Sequence, residues 1–251
     1  MSNFMTTKGS AGSGRLQVKE FKNGANNFRI VGNVLRRYGY WLKTPGGNSV
    51  FMECLGFDRE LEKFTNKEVD HVPTFFPNAL DFFGNVELDQ KTNSPKPHRP
   101  KWAYVVTVID RDDGGTIKEM HMKKTAFESL IALAGKKNPA TKQPFGDPTD
   151  PVTGWDCNII KTKTGSSALN VKYEVDQFSA MSGQCALTED EIEAIEKLTP
   201  IEERYPRQTA EEQLALLKEI VSGAYDEKRT KKGASGTDST VDEEAISELG
   251  N

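Results

Sequence analysis

Trp102 to Asp110 (WAYVVTVID) is almost continuously apolar and β-branched, and no other stretch commits its backbone so firmly. Such a run reads as a strand. At nine residues it falls far short of the ~20 apolar residues that a membrane helix needs. Asp112-Asp113-Gly114-Gly115 turns it into another strand over Thr116–Met122. Side chains alternate along a strand, so Trp102 and Tyr104 share a face. If that face is the wall of a groove, Ala103 and Val105 build the core.

The remaining signals extend this start into a small antiparallel sheet with helices. Phe28–Arg37 reads as a strand bent or bulged at Gly32, and Pro45-Gly46-Gly47-Asn48 turns the chain into a second strand over Val50–Phe57. Residues 58–101, rich in Pro and holding Phe75, Phe76, Phe82 and Phe83, read as an inserted, loop-rich subdomain with a short helix near Asn78–Phe83. Phe127, Leu130, Ile131 and Ala134 recur at helical spacing within Thr125–Lys137. A last hairpin pairs Gly154–Thr164 with Ala168–Phe178. Its second strand alternates, with Leu169, Val171, Tyr173 and Val175 on one face. Thr188 with Glu191 and Thr209 with Glu212 are capping boxes that open two final helices. The expected class is α+β, mainly β: a five-stranded oligonucleotide-binding barrel, closed to protect its edges. The expected divisions are a flexible arm (1–22), a core (23–223) with a helical cap (187–223), and a disordered acidic tail (224–251).

Charge is divided by position. Residues 1–186 carry 25 Lys and Arg against 20 Asp and Glu, whereas residues 187–251 carry 8 against 17. The end of the chain holds Asp238, Asp242, Glu243, Glu244 and Glu248 in a Gly/Ser/Thr setting too poor in apolar residues to fold. A basic body trailed by an acidic tail suggests a polyanion groove whose occupant the tail can imitate. The polar start has no apolar signal core, which points to the cytoplasm. Cys54, Cys157 and Cys185 are widely spaced and form no CxxC pair, as expected of reduced thiols.

Cations interleave with aromatic residues in three places. These are Arg36, Arg37, Tyr38, Tyr40, Trp41 and Lys43; then Lys101, Trp102 and Tyr104; then Lys161, Lys163 and Lys172 beside Phe178. Single-strand binders need both parts: cations track the phosphates, and flat rings stack unpaired bases. Catalytic patterns are weaker. His71, His98 and His121 lack metal-ligand spacing, and no phosphate-cradling glycine loop or nucleophile elbow is present. The alternatives are a two-metal nuclease using Glu53, Asp58 and Asp110, and a protein-interaction module on the same barrel. No cofactor or metal is expected.

The ordered set of features resembles the single-stranded DNA-binding, helix-destabilising proteins of T-even-type tailed phages. It comprises Asn26-Asn27-Phe28-Arg29-Ile30, the Tyr38-Gly39-Tyr40 to Glu53-Cys54 hairpin, Trp102-Ala103, Lys123-Lys124 before a helix, Gly146-Asp147, Phe178-Ser179, two capped helices and an acidic tail. The resemblance implies a cleft at or near Arg29, Lys101, Trp102, Lys123, Lys124 and Phe178. It also implies a tail that recruits replication and recombination proteins in the cytoplasm of the infected bacterial host. Two departures stand out. The structural zinc of that family's best-known members has only Cys54 as a matching ligand here, with Tyr38 near the expected His, so the phenylalanine cluster is expected to pack the subdomain instead. Only Lys8 and Arg15 are basic among the first 18 residues, where that family binds its neighbouring subunit, so self-association on DNA is left open.

Overall fold

Strand β1 (Gly24–Lys43) is twenty residues long and pairs with three other strands, because it changes direction part-way. The computed structural model describes residues 16–65, 67–80, 84–165, 171–177 and 185–233. The bend lies where the sequence places it. Register shifts between Val31 and Val34, and Gly32 has φ 66°, a conformation that favours glycine.

The main sheet adds β2 (Ser49–Glu53), β5 (Lys101–Asp110), β6 (Thr116–Lys123), β7 (Cys157–Lys163) and β8 (Val171–Val175). All its pairings are antiparallel, in the order β6-β5-β1-β7-β8, with β2 on the far half of β1. A separate ribbon joins β3 (Phe57–Asp58) to β4 (Lys63–Phe64). The closed barrel expected from the sequence is not what the described residues form, since no pairing joins β6 to β8 among them. Helix α2 (Lys124–Ala134) packs against β5, β6 and β8, so the two ends of the sheet meet through a helix rather than a hydrogen-bonded ladder.

Alternation along the strands sorts side chains into two faces. The inner face carries Phe28, Ile30, Val106, Val108, Met120, Met122, Cys157 and Ile159, sealed by Ala126, Leu130 and Leu133 of α2. Ile131, expected in that stripe, faces solvent. Beyond the bend the same face of the β1–β2 hairpin gives Tyr40, Leu42, Val50 and Met52 to a second cluster, where Val72, Leu217 and Ile220 meet them. On the opposite face Leu35 and Val105 pack under Ile201 and Tyr205.

After the last strand the described residues include α3 (Glu189–Glu196), α4 (Ile201–Arg204), α5 (Ala210–Ser222) and α6 (Ala224–Gly233). Both capping boxes form, each threonine hydroxyl accepting a backbone N–H at 3.2 Å. Helix α6 carries regular structure ten residues past the boundary expected at Gly223. The short helix of the insert, α1 (Val72–Phe75), lies earlier than Asn78–Phe83 because Pro73 suits a first helical turn. Asn78 and Leu80 instead make bridges to Pro97 and Val86. The arm is also fixed from Leu16 onward: Val18 bridges Glu119, buried Lys19 pairs with Asp110, and Phe21 packs edge-on against Tyr173 at 5.2 Å. Among the described residues no helix is long and apolar enough to cross a membrane.

Candidate nucleic-acid interface

Where β1 leaves the first core and enters the second, four aromatic rings gather. Tyr38 and Trp102 are register partners on β1 and β5, with centroids 5.0 Å apart. Phe57 on β3 lies 4.2 Å from Tyr38 and 5.5 Å from Trp102, and Phe64 on β4 lies 5.2 Å from Phe57. The β3–β4 ribbon therefore leans over the β1–β5 pair. Phe64 is 58% exposed, the only aromatic among the exposed large apolar side chains of the described residues. The Arg36 guanidinium lies over the Trp102 ring at 4.7 Å, and its ion pair with Glu62, at 2.6 Å, is solvent-exposed on both sides. Arg59 donates to the Arg36 carbonyl, and Lys63 is exposed beside Phe64. Burial, with Cys54 nearby, pushes the Tyr38 hydroxyl above its ordinary pKa, so that ring stays neutral.

The other residues singled out from sequence divide by face. Arg37, Trp41 and Lys43 share the outer face of β1 with Phe51, and Trp41 meets Phe51 edge-on at 5.1 Å. Lys101 is exposed opposite Gly39, and Lys123 is the register partner of Ala103. Arg37 is committed: its Nε donates to buried Glu53 at 2.8 Å while its guanidinium covers Phe51 at 4.4 Å. Lys124 opens α2, exposed and 3.6 Å from Glu128.

Four residues belong to the interior rather than the surface. Tyr104 is 5% exposed and stacks on Phe127 at 4.2 Å, so it is a core ring. Tyr40 is buried and donates to Asp70 at 3.1 Å. Lys161 is buried and reaches the Phe21 carbonyl at 3.3 Å. Arg29 is fully buried, donating to the Asp150 carbonyl at 2.6 Å; burial pulls its pKa down against the opposing pull of Asp156. Lys163 and Lys172 sit on the β7–β8 hairpin, Lys163 bound through its backbone N–H to Asn23 and Lys172 paired with Glu174. Phe178 and the acidic residues Asp238, Asp242, Glu243, Glu244 and Glu248 lie outside the described residues.

Phe57 was read only as the end of the Val50–Phe57 strand, and Lys63 and Phe64 stand in a segment with no strand-length pattern, so none of the three was singled out. The signal was available only as Phe57 and Phe64 flanking a charged turn, Asp58 to Lys63. Cys54 is surrounded by Tyr40 and Asp70, and among the described residues no three His, Cys, Asp or Glu side chains come together to hold a metal. Phe75 and Phe76 do pack against the second core; Phe82 and Phe83 lie outside the described residues. A paired-carboxylate site from Glu53 and Asp110 does not assemble. Glu53 stands opposite Gly39, itself the partner of Lys101, while Asp110 ends β5 about 30 Å away at strand spacing. Glu53 is held by Arg37 and Arg59, and Asp110 by Lys19 and Lys118.

The cluster thus presents one exposed ring, Phe64, beside half-buried Tyr38 and Trp102, with Arg36 and Lys63 exposed next to them. No family model matches the chain. In an alignment 271 positions long it is 30% identical to the probable ssDNA-binding protein of Escherichia phage T5, spanning 97% of this chain and 96% of that protein. The chain belongs to the family of that phage protein.

Proposed function

We propose that this chain is a single-stranded DNA-binding protein, without catalytic activity, that coats and protects unpaired DNA during phage replication, recombination and repair in the host cytoplasm. The observation that carries this reading is the cluster of Tyr38, Phe57, Phe64 and Trp102 crossed by Arg36, and the name of the T5 relative supports it. Bases of a duplex are already stacked and paired, so rings at the sheet's mouth favour the unpaired strand. Preferential binding of that form draws melting forward by mass action. The order β6-β5-β1-β7-β8, bridged by α2, is consistent with a partly open oligonucleotide-binding barrel. The acidic residues past Gly233 serve as a tail that recruits replication and recombination proteins, as the T-even resemblance implies.

The test is quenching of tryptophan emission by oligothymidine, titrated at several salt concentrations against duplex of equal length. Tight quenching that weakens with salt, slope about −0.7 per phosphate contacted, and much weaker duplex binding are expected. Salt-insensitive or absent binding would refute the reading.

A further inference from the structure

The tip of the β1–β2 hairpin is built to receive one anion. Thr44 Oγ1 donates to Asp226 Oδ1 at 2.6 Å, Asn48 Nδ2 donates to the same oxygen at 2.8 Å, and the Gly46 backbone N–H donates to Oδ2 at 2.8 Å. Position 46 has no room for a side chain. A Cβ there would stand 2.7 Å from the Asp226 carboxyl carbon, so only glycine lets the anion in. The backbone of the turn that carries these donors has hydrogen bonds of its own. Thr44 N–H donates to the Asn48 carbonyl at 2.8 Å, and Gly47 N–H to the Thr44 carbonyl at 2.9 Å, so the turn closes on itself.

The occupant comes from α6, a polar surface helix that sets Tyr225 against the second core. A carboxylate with two oxygens in a three-donor cradle is a close stand-in for the two non-bridging oxygens of a phosphodiester. The cradle also follows directly on the strand that carries the mouth cluster. Thr44, the first residue past β1, is six positions beyond Tyr38, about 20 Å at strand spacing, and adjoins Lys43. The gathered donors are neutral, so the site discriminates by geometry, and α6 competes for it from within the same molecule.

We propose that Thr44, Gly46 and Asn48 form a phosphate site for the bound single strand, which Asp226 fills in the free protein and yields when DNA arrives. This inference rests on the single-strand reading above. A purely structural role for Asp226 predicts the opposite sign, because loosening the hairpin would weaken binding or leave it unchanged.

The experiment compares wild type, Asp226→Ala and Asp226→Ala/Thr44→Val for binding to an oligothymidine by fluorescence anisotropy, with circular dichroism confirming the fold. Asp226→Ala is expected to bind about tenfold more tightly, the scale of one hydrogen bond to a charged group, and Thr44→Val is expected to remove most of that gain. Equal or weaker binding by folded Asp226→Ala overturns the proposal. Hydrogen exchange on the wild-type protein decides the matter even if the variants fail to fold. Amides of α6 should exchange faster in the oligonucleotide complex, and unchanged protection there overturns the proposal. Wild type that binds the oligonucleotide without either effect defeats this inference alone, whereas wild type that binds no single strand defeats the functional reading and this site with it.

Discussion

The guanidinium of Arg36 lies 4.7 Å from the centre of the Trp102 ring, and the carboxylate paired with it, Glu62, is exposed. An exposed ion pair of this kind is worth little to the fold, so Arg36 can exchange Glu62 for a phosphate at small cost while keeping its contact with the ring. Arg36→Ala should therefore weaken single-strand binding and flatten its salt dependence by about 0.7 in log-log slope, with little change in thermal midpoint. An unchanged slope in anisotropy titrations would remove Arg36 from the interface.

Phe64 gives the cleanest separation of binding from folding, because more than half of its surface is already in water. Phe64→Ala is expected to weaken oligothymidine binding by about 1–3 kcal/mol, the scale of one base–ring stack. Its denaturant midpoint should move far less than that of Phe57→Ala, since Phe57 is buried between Tyr38 and Trp102. Equal affinity of Phe64→Ala and wild type would place the stacking surface elsewhere.

The three cysteines should differ sharply in reactivity. Burial, with Asp70 hydrogen-bonded beside it, pushes the Cys54 thiol up to about 12, and burial raises Cys157 as well. Cys185 is exposed. A thiol reagent at pH 8 should modify one cysteine in the folded protein and all three after denaturation, because the thiolate is the reacting form. Fast modification of Cys54 under native conditions would contradict the packing of the hairpin against α5.

Arg29 and Gly154 meet so closely that a Cβ at position 154 would run into the Arg29 guanidinium and the carbonyls of Pro148 and Asp150. Two of the three Arg29 nitrogens, Nε and Nη1, are buried without a hydrogen-bond partner among the described residues, so the site has little slack. Gly154→Ala should cost about 1–3 kcal/mol in urea unfolding. Arg29 was legible as an arginine on a strand, and resemblance placed it in a cleft. Its burial depends on the 148–154 loop, which folds over it from more than a hundred residues away.

That contrast describes what the sequence could and could not disclose. Local grammar located the strands around Gly32, the turns at Pro45–Asn48 and Asp112–Gly115, and both capping boxes, because each is decided within a few residues. Side-chain destinations were decided by tertiary partners instead. Trp102 and Tyr104 share a face as alternation requires, yet α2 stacks Phe127 on Tyr104 and leaves Trp102 at the rim. Phe57 and Phe64 lie on strands of two residues each, too short for any periodicity, and they gain meaning only where the ribbon folds back on Tyr38.

The arm should release in acid. Asp110 is nearly inaccessible; burial would raise its pKa, but hydrogen bonds from Lys19 and Lys118 outweigh that and hold it below the usual carboxylate range. Asp112 is likewise lowered against burial, by Asn27 and Lys19. Both groups stay charged in the folded protein at pH values where the unfolded chain, with aspartates near about 3.9, takes up protons. The stability they contribute is complete above about pH 4 and is lost as the pH falls through their lowered folded values. Hydrogen exchange at residues 16–22 should therefore accelerate in that window ahead of exchange in β5. Asp110→Asn should bring the acceleration to neutral pH and cost about 3 kcal/mol, because it leaves the buried Lys19 ammonium with Asp112 as its remaining partner. Exchange at 16–22 that stays flat down to pH 3 in the wild type would show that Val18 and Phe21, rather than the ion pairs, hold this segment against the sheet.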